Sequence, residues 1–262
     1  MRDSRYDAAM IRLVVLAALF ACALASAQPV TEIAPTGTLR AAINYGNPIL
    51  ASKDASGQPQ GLSVDLARAL GARIGVPVEL VTFDSAGKVS SSVAQWDIAF
   101  LAVDPARATD IAFTAPYVMI EGAYLVPANS PIKSNDDVDR AGTRVVVGAG
   151  SAYDLYLSRE IKAAALVRAP TSPAVVDVMV AQNLDVAAGV KQQLEADARR
   201  VSNVRLLPGR FMVINQAVGV PQGRPASARY VAQFVEDVKA SGFVAESLRR
   251  HRIEGATVAP AR

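Results

Sequence analysis

Short apolar runs alternate along the chain with longer segments whose apolar residues recur every three or four positions. The run Leu39–Asn44 leads into a turn, and Ser63 can cap a following helix with an apolar face. Val78–Phe83 is a second apolar run, and residues 98–103 are a third, which ends at Asp104 and a proline. Strands that alternate with amphipathic helices predict an α/β fold.

A second set of strands and helices begins after residue 140. Its strands are predicted at residues 144–147, 165–168, 184–188 and 212–220, and its helices from Ser151, after a cap at Ser172, and over 226–241 and 244–250. Two α/β halves joined near Val126 and near Asn215 follow from this order, with crossing segments at 123–128 and 213–220. We expect lobe one to comprise residues 36–125 and 218–252, lobe two to comprise 126–217, and the tail 253–262 to be loose.

The first 27 residues have the pattern of a secretory signal peptide. Arg12 precedes an apolar run over residues 13–25, and the small residues that end at Ala27 supply a cleavage site. The run is shorter than the roughly 20 residues that span a bilayer. We therefore expect export to the periplasm with cleavage after Ala27, which is favoured over lipoprotein processing at Cys22.

Composition excludes several classes of function. The chain has 262 residues, of which 51% are hydrophobic and 19% charged, as in ordinary globular proteins. The leader carries three of the 27 basic and two of the 24 acidic residues, so its cleavage leaves a net charge of +2, which suggests no nucleic-acid partner. Cys22 and His251 are the only cysteine and histidine, so the mature chain offers no disulfide, Ser/His triad or zinc site, and we expect neither metal nor cofactor. Gly148 and Gly150 match part of a dinucleotide fingerprint, but Tyr153 stands where glycine or alanine is needed.

Arg107 stands just beyond the buried run that ends at Asp104. Open α/β sheets bind ligands at the carboxyl ends of their strands, and Arg107 follows such an end. Its planar guanidinium can hold a carboxylate through two parallel hydrogen bonds. The position favours Arg107 as the anchor of an anionic ligand and leaves open a surface arginine beside a turn.

Five motifs follow one another along the mature chain. They are Leu39-Arg40, Gly61-Leu-Ser-Val-Asp65-Leu-Ala67, Asp97-Ile-Ala, Asp104-Pro-Ala-Arg107 and Phe113-Thr-Ala-Pro-Tyr117. In their order and spacing they resemble the extracytoplasmic solute-binding proteins of amino-acid ABC transporters, bacterial solute-binding protein family 3. The resemblance spans about residues 38–248 and implies a two-lobed periplasmic binding protein type II fold with two crossing segments. It also implies a small ligand in the cleft, and hinge closure that an inner-membrane ABC permease recognises.

The resemblance implies a carboxylate anchor in this chain. Arg107 matches the family arginine that holds the α-carboxylate of an amino acid. Ser151, with its neighbours Gly150 and Ala152, matches a helix start whose backbone amides face the same group. We expect the protein to act as a monomer that binds one small carboxylate compound through these residues.

Other positions depart from the family pattern. Phe100 and Ala102 replace hydroxyl residues that usually assist the anchor. Asn47 stands where many members have an aromatic residue over the ligand, and Asn44 adds a neutral polar group nearby. The acid that usually receives the α-ammonium should fall near Val190, so this chain has an apolar residue at that place.

Lys191 follows Val190 directly and changes the expected ligand. A buried ammonium needs an anionic or hydrogen-bonding partner, so Arg107 and Lys191 together favour an anionic ligand without a free ammonium. Two alternatives stay open. Lys191 is the solvated start of a helix, or a shift of the alignment moves Glu121 or Asp154 into the role of the missing acid.

Two classes of function follow from these observations. The leading one is a non-catalytic binding protein that delivers a small carboxylate-bearing solute, an amino acid or related organic acid, to an ABC permease. The alternative is an exported enzyme on the same scaffold, such as a cyclohexadienyl-type dehydratase. An enzyme of that kind needs a general acid or base in the cleft, for which Glu121 and Lys191 are the candidates.

Overall fold

Strands and helices alternate through the computed structural model, which describes residues 30–261; the predicted signal peptide, residues 1–27, lies outside the described residues. The strands are β1 (Leu39–Asn44), β2 (Ser52–Lys53), β3 (Pro59–Gln60), β4 (Val78–Phe83), β5 (Ile98–Ala102), β6 (Ile111–Pro127), β7 (Arg144–Gly148), β8 (Ala165–Ala169), β9 (Val186–Val190), β10 (Val204–Leu206), β11 (Met212–Pro221) and β12 (Thr257–Val258). The α-helices after residue 60 are α1 (Leu62–Ile74), α2 (Ala86–Ser91), α3 (Ala152–Glu160), α4 (Val175–Ala181), α5 (Lys191–Arg200), α6 (Pro225–Ala240) and α7 (Phe243–Arg250). Within residues 30–261, none of the helices combines the length and apolarity needed to cross a bilayer.

One continuous sheet runs through the molecule in the order β4-β1-β5-β11-β6-β9-β7-β8. The strands β4, β1 and β5 are parallel to one another, and so are β9, β7 and β8. Between these two groups, β11 is antiparallel to β5 and β6, and β6 is antiparallel to β9. The result is the predicted α/β architecture, in which two parallel halves are joined by two long crossing strands.

Each half has its own hydrophobic core. Leu39, Leu66 and Val235 belong to the core on the β1 side, whereas Val145 and Val186 belong to a core on the β7 side. These cores are formed because parallel strands buried on both faces are rich in valine, leucine and isoleucine. We call the half around β1 lobe one and the half around β7 lobe two.

The first crossing lies earlier in the chain than the sequence indicated. Val118 packs in the core of lobe one and Ile120 in that of lobe two, so β6 changes lobes there and not at residues 123–128. The sequence predicts the crossing too late because its pattern separates residues 113–117 from the apolar run after them. In the structure they form one 17-residue strand. Pro116 is tolerated inside this strand because the pairing register with β11 shifts around its partner, Ala217.

Two helix starts also differ from expectation. The N-cap of α1 is Gly61, and Ser63 lies inside the helix, buried, with its backbone N–H donating to the carbonyl of Leu50. A serine cap is unnecessary there because the preceding loop already satisfies that amide. Before α4, the short helical turn that contains Ser172 is preceded by Thr171 as its N-cap, one residue earlier than predicted.

The tail, expected to be loose, is instead held against the hinge. Thr257 and Val258 pair with Met119 and Val118 of β6, at the point where that strand changes lobes. The carbonyl of Pro260 accepts a hydrogen bond from the Lys239 ammonium at 2.9 Å. The edge of β6 offers backbone groups that this short strand satisfies.

Candidate ligand-binding site

A cavity of about 30 Å³ lies between the two lobes. On the side of lobe one it is lined by Asn44, the last residue of β1, and by Ala102, the last residue of β5. On the side of lobe two it is lined by Val190, which ends β9, and by Ser151, which follows β7. The carboxyl ends of parallel strands from both lobes therefore meet at one place, as expected for ligand sites in α/β folds.

Arg107 joins the two walls of the cavity. Its Nη1 donates to the carbonyl of Ala102 in lobe one and its Nη2 to the carbonyl of Gly150 in lobe two, both at 2.9 Å. The side chain is buried, and its Nε has no hydrogen-bond partner among the described residues. Burial lowers the pKa of Arg107 to about 10, although Asp104 nearby opposes the shift. The guanidinium is thus fully charged at neutral pH, with donors to spare.

Ser151 caps helix α3 and orients its first turn toward the cavity. The Ser151 Oγ accepts a hydrogen bond from the backbone N–H of Asp154 at 3.0 Å, and Ala152, the next residue, also lines the cavity. Asp154 accepts from the backbone N–H of Gly150 at 2.8 Å and from Arg168, and it is not a lining residue. Asp154 thus has other partners and does not line the cavity, so the alternative in which it receives an ammonium finds no support there.

Two asparagines at the end of β1 have different roles. The Asn44 Oδ1 accepts a hydrogen bond from the backbone N–H of Gly46 at 2.9 Å and so shapes the turn after the strand. Asn47 is buried on the cavity wall, and its Oδ1 has no partner in the part of the chain that the structure describes. Of the two, Asn47 has the free acceptor.

Several lining residues were missed by the sequence reasoning. Tyr153, Ser172, Ile214 and Gln216 all face the cavity. Tyr153 is 2% exposed, and burial raises the pKa of its hydroxyl to about 12. Ser172 and Ser151 lie close enough to moderate that rise, but the hydroxyl makes no well-formed hydrogen bond to any described residue. A bulky residue two positions after the predicted cap was the signal that could have revealed it.

Lys191 is a predicted site residue that does not line the cavity. Its Nζ lies 3.2 Å from Glu121 Oε2, and the other carboxylate oxygen of Glu121 lies 2.7 Å from Arg210 Nη1. Arg210 and Lys191 together lower the pKa of Glu121. Both candidates for acid–base chemistry thus pair with each other outside the cavity, because α5 begins at Lys191 and β6 carries Glu121 past it.

Replacing Lys191 with methionine should change ligand affinity by no more than about fivefold, since a partly exposed ion pair contributes about 0–1 kcal/mol. Calorimetric titration of Lys191→Met beside the unmodified protein checks this. A loss of affinity of tenfold or more would show that Lys191 contributes to ligand binding.

The lobes touch one another beside the cavity. Gly150, at φ +67°, lies so near Gly87 that a Cβ at Gly150 would be 2.8 Å from the Gly87 Cα. Arg159 of α3 places its Nη2 2.8 Å from Oδ2 of Asp104, which follows β5 and is nearly fully buried. A backbone contact and an ion pair therefore both cross the cleft, and the described conformation is closed.

The fold and its interlobe cavity define a two-lobed α/β solute-binding protein. The family model described as bacterial extracellular solute-binding proteins, family 3, matches residues 39–252, and the chain belongs to this family. A comparison with curated proteins gives no match. The family assignment confirms the resemblance that the five motifs indicated.

Solved structures with the same fold are distant in sequence. A solute receptor for L-cysteine of Neisseria gonorrhoeae has a TM-score of 0.75 at 20% identity, over 86% of this chain and 94% of that one. A mutant of ArgBP from T. maritima has a TM-score of 0.74 at 18% identity, over 86% and 100%. The ancestral amino acid-binding protein AncCDT-1, a precursor of cyclohexadienyl dehydratase, has a TM-score of 0.72 at 21% identity, over 84% and 98%. At these identities the comparisons show the fold alone.

Proposed function

We propose that this protein is a periplasmic binding protein that captures a small carboxylate-bearing solute between its lobes and delivers it to an inner-membrane ABC permease. Arg107 carries the proposal. Its buried, charged guanidinium uses two of its five N–H donors on carbonyls. The remaining donors can bind a carboxylate in the low-dielectric space between the lobes. Membership in an extracellular solute-binding family supports the same conclusion.

Electrostatics favour a ligand that brings a negative charge. The depressed pKa of Arg107 means that its buried charge is poorly compensated by the two carbonyls and by Asp104. A carboxylate would neutralise it and would make closure around the ligand more favourable than closure without one. Binding and hinge closure are coupled in this way, and the monomer needs no second copy to complete the site.

The cavity suits binding better than proton transfer. Of the residues that line it, Arg107 and Tyr153 are titratable, with a pKa of about 10 and about 12 respectively. Neither is matched to acid–base work near neutral pH. Glu121 and Lys191, which a dehydratase would need in the cleft, pair with each other elsewhere. AncCDT-1 is named as an amino acid-binding precursor of a dehydratase, so an enzyme is the second candidate, but the lining of this cavity favours capture over catalysis.

A panel of organic acids and the twenty common amino acids, screened by thermal shift, tests the function. A ligand present at 100 times its Kd stabilises by about 2.7 kcal/mol, which corresponds to a rise in Tm of roughly 5–10 °C for a domain of this size. We expect such a rise with short organic acids and little or none with amino acids. The ligands that raise the Tm should also reduce the radius of gyration in X-ray scattering.

One result would contradict the proposal, and another would contradict the expected preference for acids without an ammonium. If no carboxylate shifts the Tm at millimolar concentration, the protein does not capture this class of solute. If a common α-amino acid gives the largest shift in Tm, the cavity binds an ammonium although no carboxylate lines it.

A further inference from the structure

The polar character of the cavity is unusual for a site that binds an amino acid. Its polar lining residues are Asn44, Asn47, Ser151, Tyr153, Ser172 and Gln216, all neutral, and Arg107 is a cation. Within the described chain, the lining contains neither aspartate nor glutamate. A ligand in this space therefore meets one fixed positive charge and otherwise only neutral dipoles and apolar walls.

Charge counting separates two kinds of ligand. A carboxylate without an ammonium neutralises Arg107 and leaves the closed cavity with no net charge. A zwitterionic amino acid leaves one uncompensated positive charge, because its own ammonium replaces the charge that its carboxylate removed. Since buried charges must be paired, the first kind is strongly favoured.

Three buried polar atoms around the cavity lack partners among residues 30–261. They are Arg107 Nε, Asn47 Oδ1 and Tyr153 Oη, and each belongs to a buried side chain. Buried polar groups are nearly always hydrogen-bonded in native proteins. Three unsatisfied atoms around one cavity, two from lobe one and one from lobe two, indicate that a bound molecule satisfies them.

The three atoms specify complementary groups on that molecule. Arg107 Nε is a donor and requires an acceptor, which a carboxylate oxygen supplies. Asn47 Oδ1 is an acceptor and requires a donor; since the charge count disfavours an ammonium, a hydroxyl is the donor that fits. The Tyr153 hydroxyl donates or accepts, so it can bond either the hydroxyl or the second carboxylate oxygen.

We propose, on the basis of the proposed function, that the ligand is a short hydroxycarboxylate whose carboxylate binds Arg107 and whose hydroxyl bonds Asn47 and Tyr153. The cavity is small, about 30 Å³ in this conformation, which favours a small ligand over a large one. The apolar wall formed by Leu101, Val190 and Ile214 contacts its carbon chain.

Lactate, propionate and alanine are the probes, because they share a three-carbon carboxylate skeleton and differ only at the second carbon. Calorimetric titration, with both lactate enantiomers, should give the tightest binding for one lactate, at least about tenfold weaker binding for propionate, and no measurable binding for alanine. The propionate arm measures the carboxylate contact alone, and the alanine arm measures the cost of an ammonium.

Variants assign the hydroxyl contact to particular side chains. Asn47→Leu should reduce the preference for lactate over propionate to within about threefold while propionate binding is retained. Tyr153→Phe should reduce the same preference in part. Tyr117→Phe is the matched control, because Tyr117 also has a buried hydroxyl without a described partner but lies in the core of lobe one and not at the cavity.

The outcomes distinguish failure of this inference from failure of the proposed function. Equal binding of lactate and propionate, or failure of all three probes while another carboxylate binds, would overturn the hydroxycarboxylate and leave carboxylate capture standing. Alanine binding most tightly would overturn the charge argument. A preference for lactate that survives Asn47→Leu and Tyr153→Phe would overturn the assigned contacts.

Discussion

Replacing Arg107 with methionine should abolish carboxylate binding, with a loss of at least about 2 kcal/mol, or roughly 30-fold in Kd. Methionine keeps the length of the side chain but removes the charge and every donor. Burial lowers the pKa of Arg107 to about 10, so the buried charge carries a desolvation cost. A carboxylate offsets that cost only while the charge is present. Titration calorimetry with the acid that raises the Tm measures the effect.

Two further variants of arginine sharpen this test. Arg107→Lys restores a charge without the planar fork, so it should recover part of the affinity and lose the bidentate component. Arg199→Met is the control, since Arg199 is exposed on α5 and is not a lining residue of the cavity. Undiminished affinity in a folded Arg107→Met protein, with unchanged circular dichroism, would show that Arg107 does not anchor the carboxylate.

Substitution of Gly150 by alanine should hold the lobes apart. The added Cβ would lie 2.8 Å from the Cα of Gly87, and a backbone atom, unlike the end of a flexible side chain, cannot move aside. The lobes would have to separate to relieve the contact. We expect the ligand-induced decrease in radius of gyration to disappear, and affinity to fall at least about tenfold because the closed site cannot assemble.

The control for Gly150→Ala must carry the same backbone strain without the clash. Gly142 is suitable, because it lies in lobe two at φ +90° with nothing within 4 Å of an added Cβ. Both substitutions place alanine in the left-handed region, at a cost of roughly 1 kcal/mol. Loss of closure in both proteins, or normal compaction in Gly150→Ala, would mean that the contact with Gly87 does not control the cleft.

Local patterns predicted the regular elements well. Ser151 was expected to begin a helix and does so, because a serine before an amphipathic segment satisfies a free helical amide in nearly any context. Arg107 was placed at the cavity on similar grounds, from a buried strand followed by a break. These features depend on neighbours in sequence, so they can be read without knowledge of the tertiary structure.

Features that depend on contacts across the sheet were predicted less well. The direction of the Lys191 side chain is set by Glu121, 70 positions earlier, and no local pattern records that pairing. Tyr153 entered the sequence reasoning only as the residue that breaks a dinucleotide fingerprint. The position where β6 changes lobes depends on which core receives Val118 and Ile120, and both are equally apolar in the sequence.

The docked tail determines where an optical reporter of this protein should be placed. Residues 257–258 pair with β6 at the point where that strand changes lobes, so a dye attached near them would be displaced little when the lobes close. Ser90 of α2 and Leu155 of α3 border a small pocket beside Arg107 on opposite sides of the cleft. A donor–acceptor dye pair at those two positions would change separation on closure. The segment after β12 is then the natural point for attachment to a surface, where the tether leaves the lobes free to move.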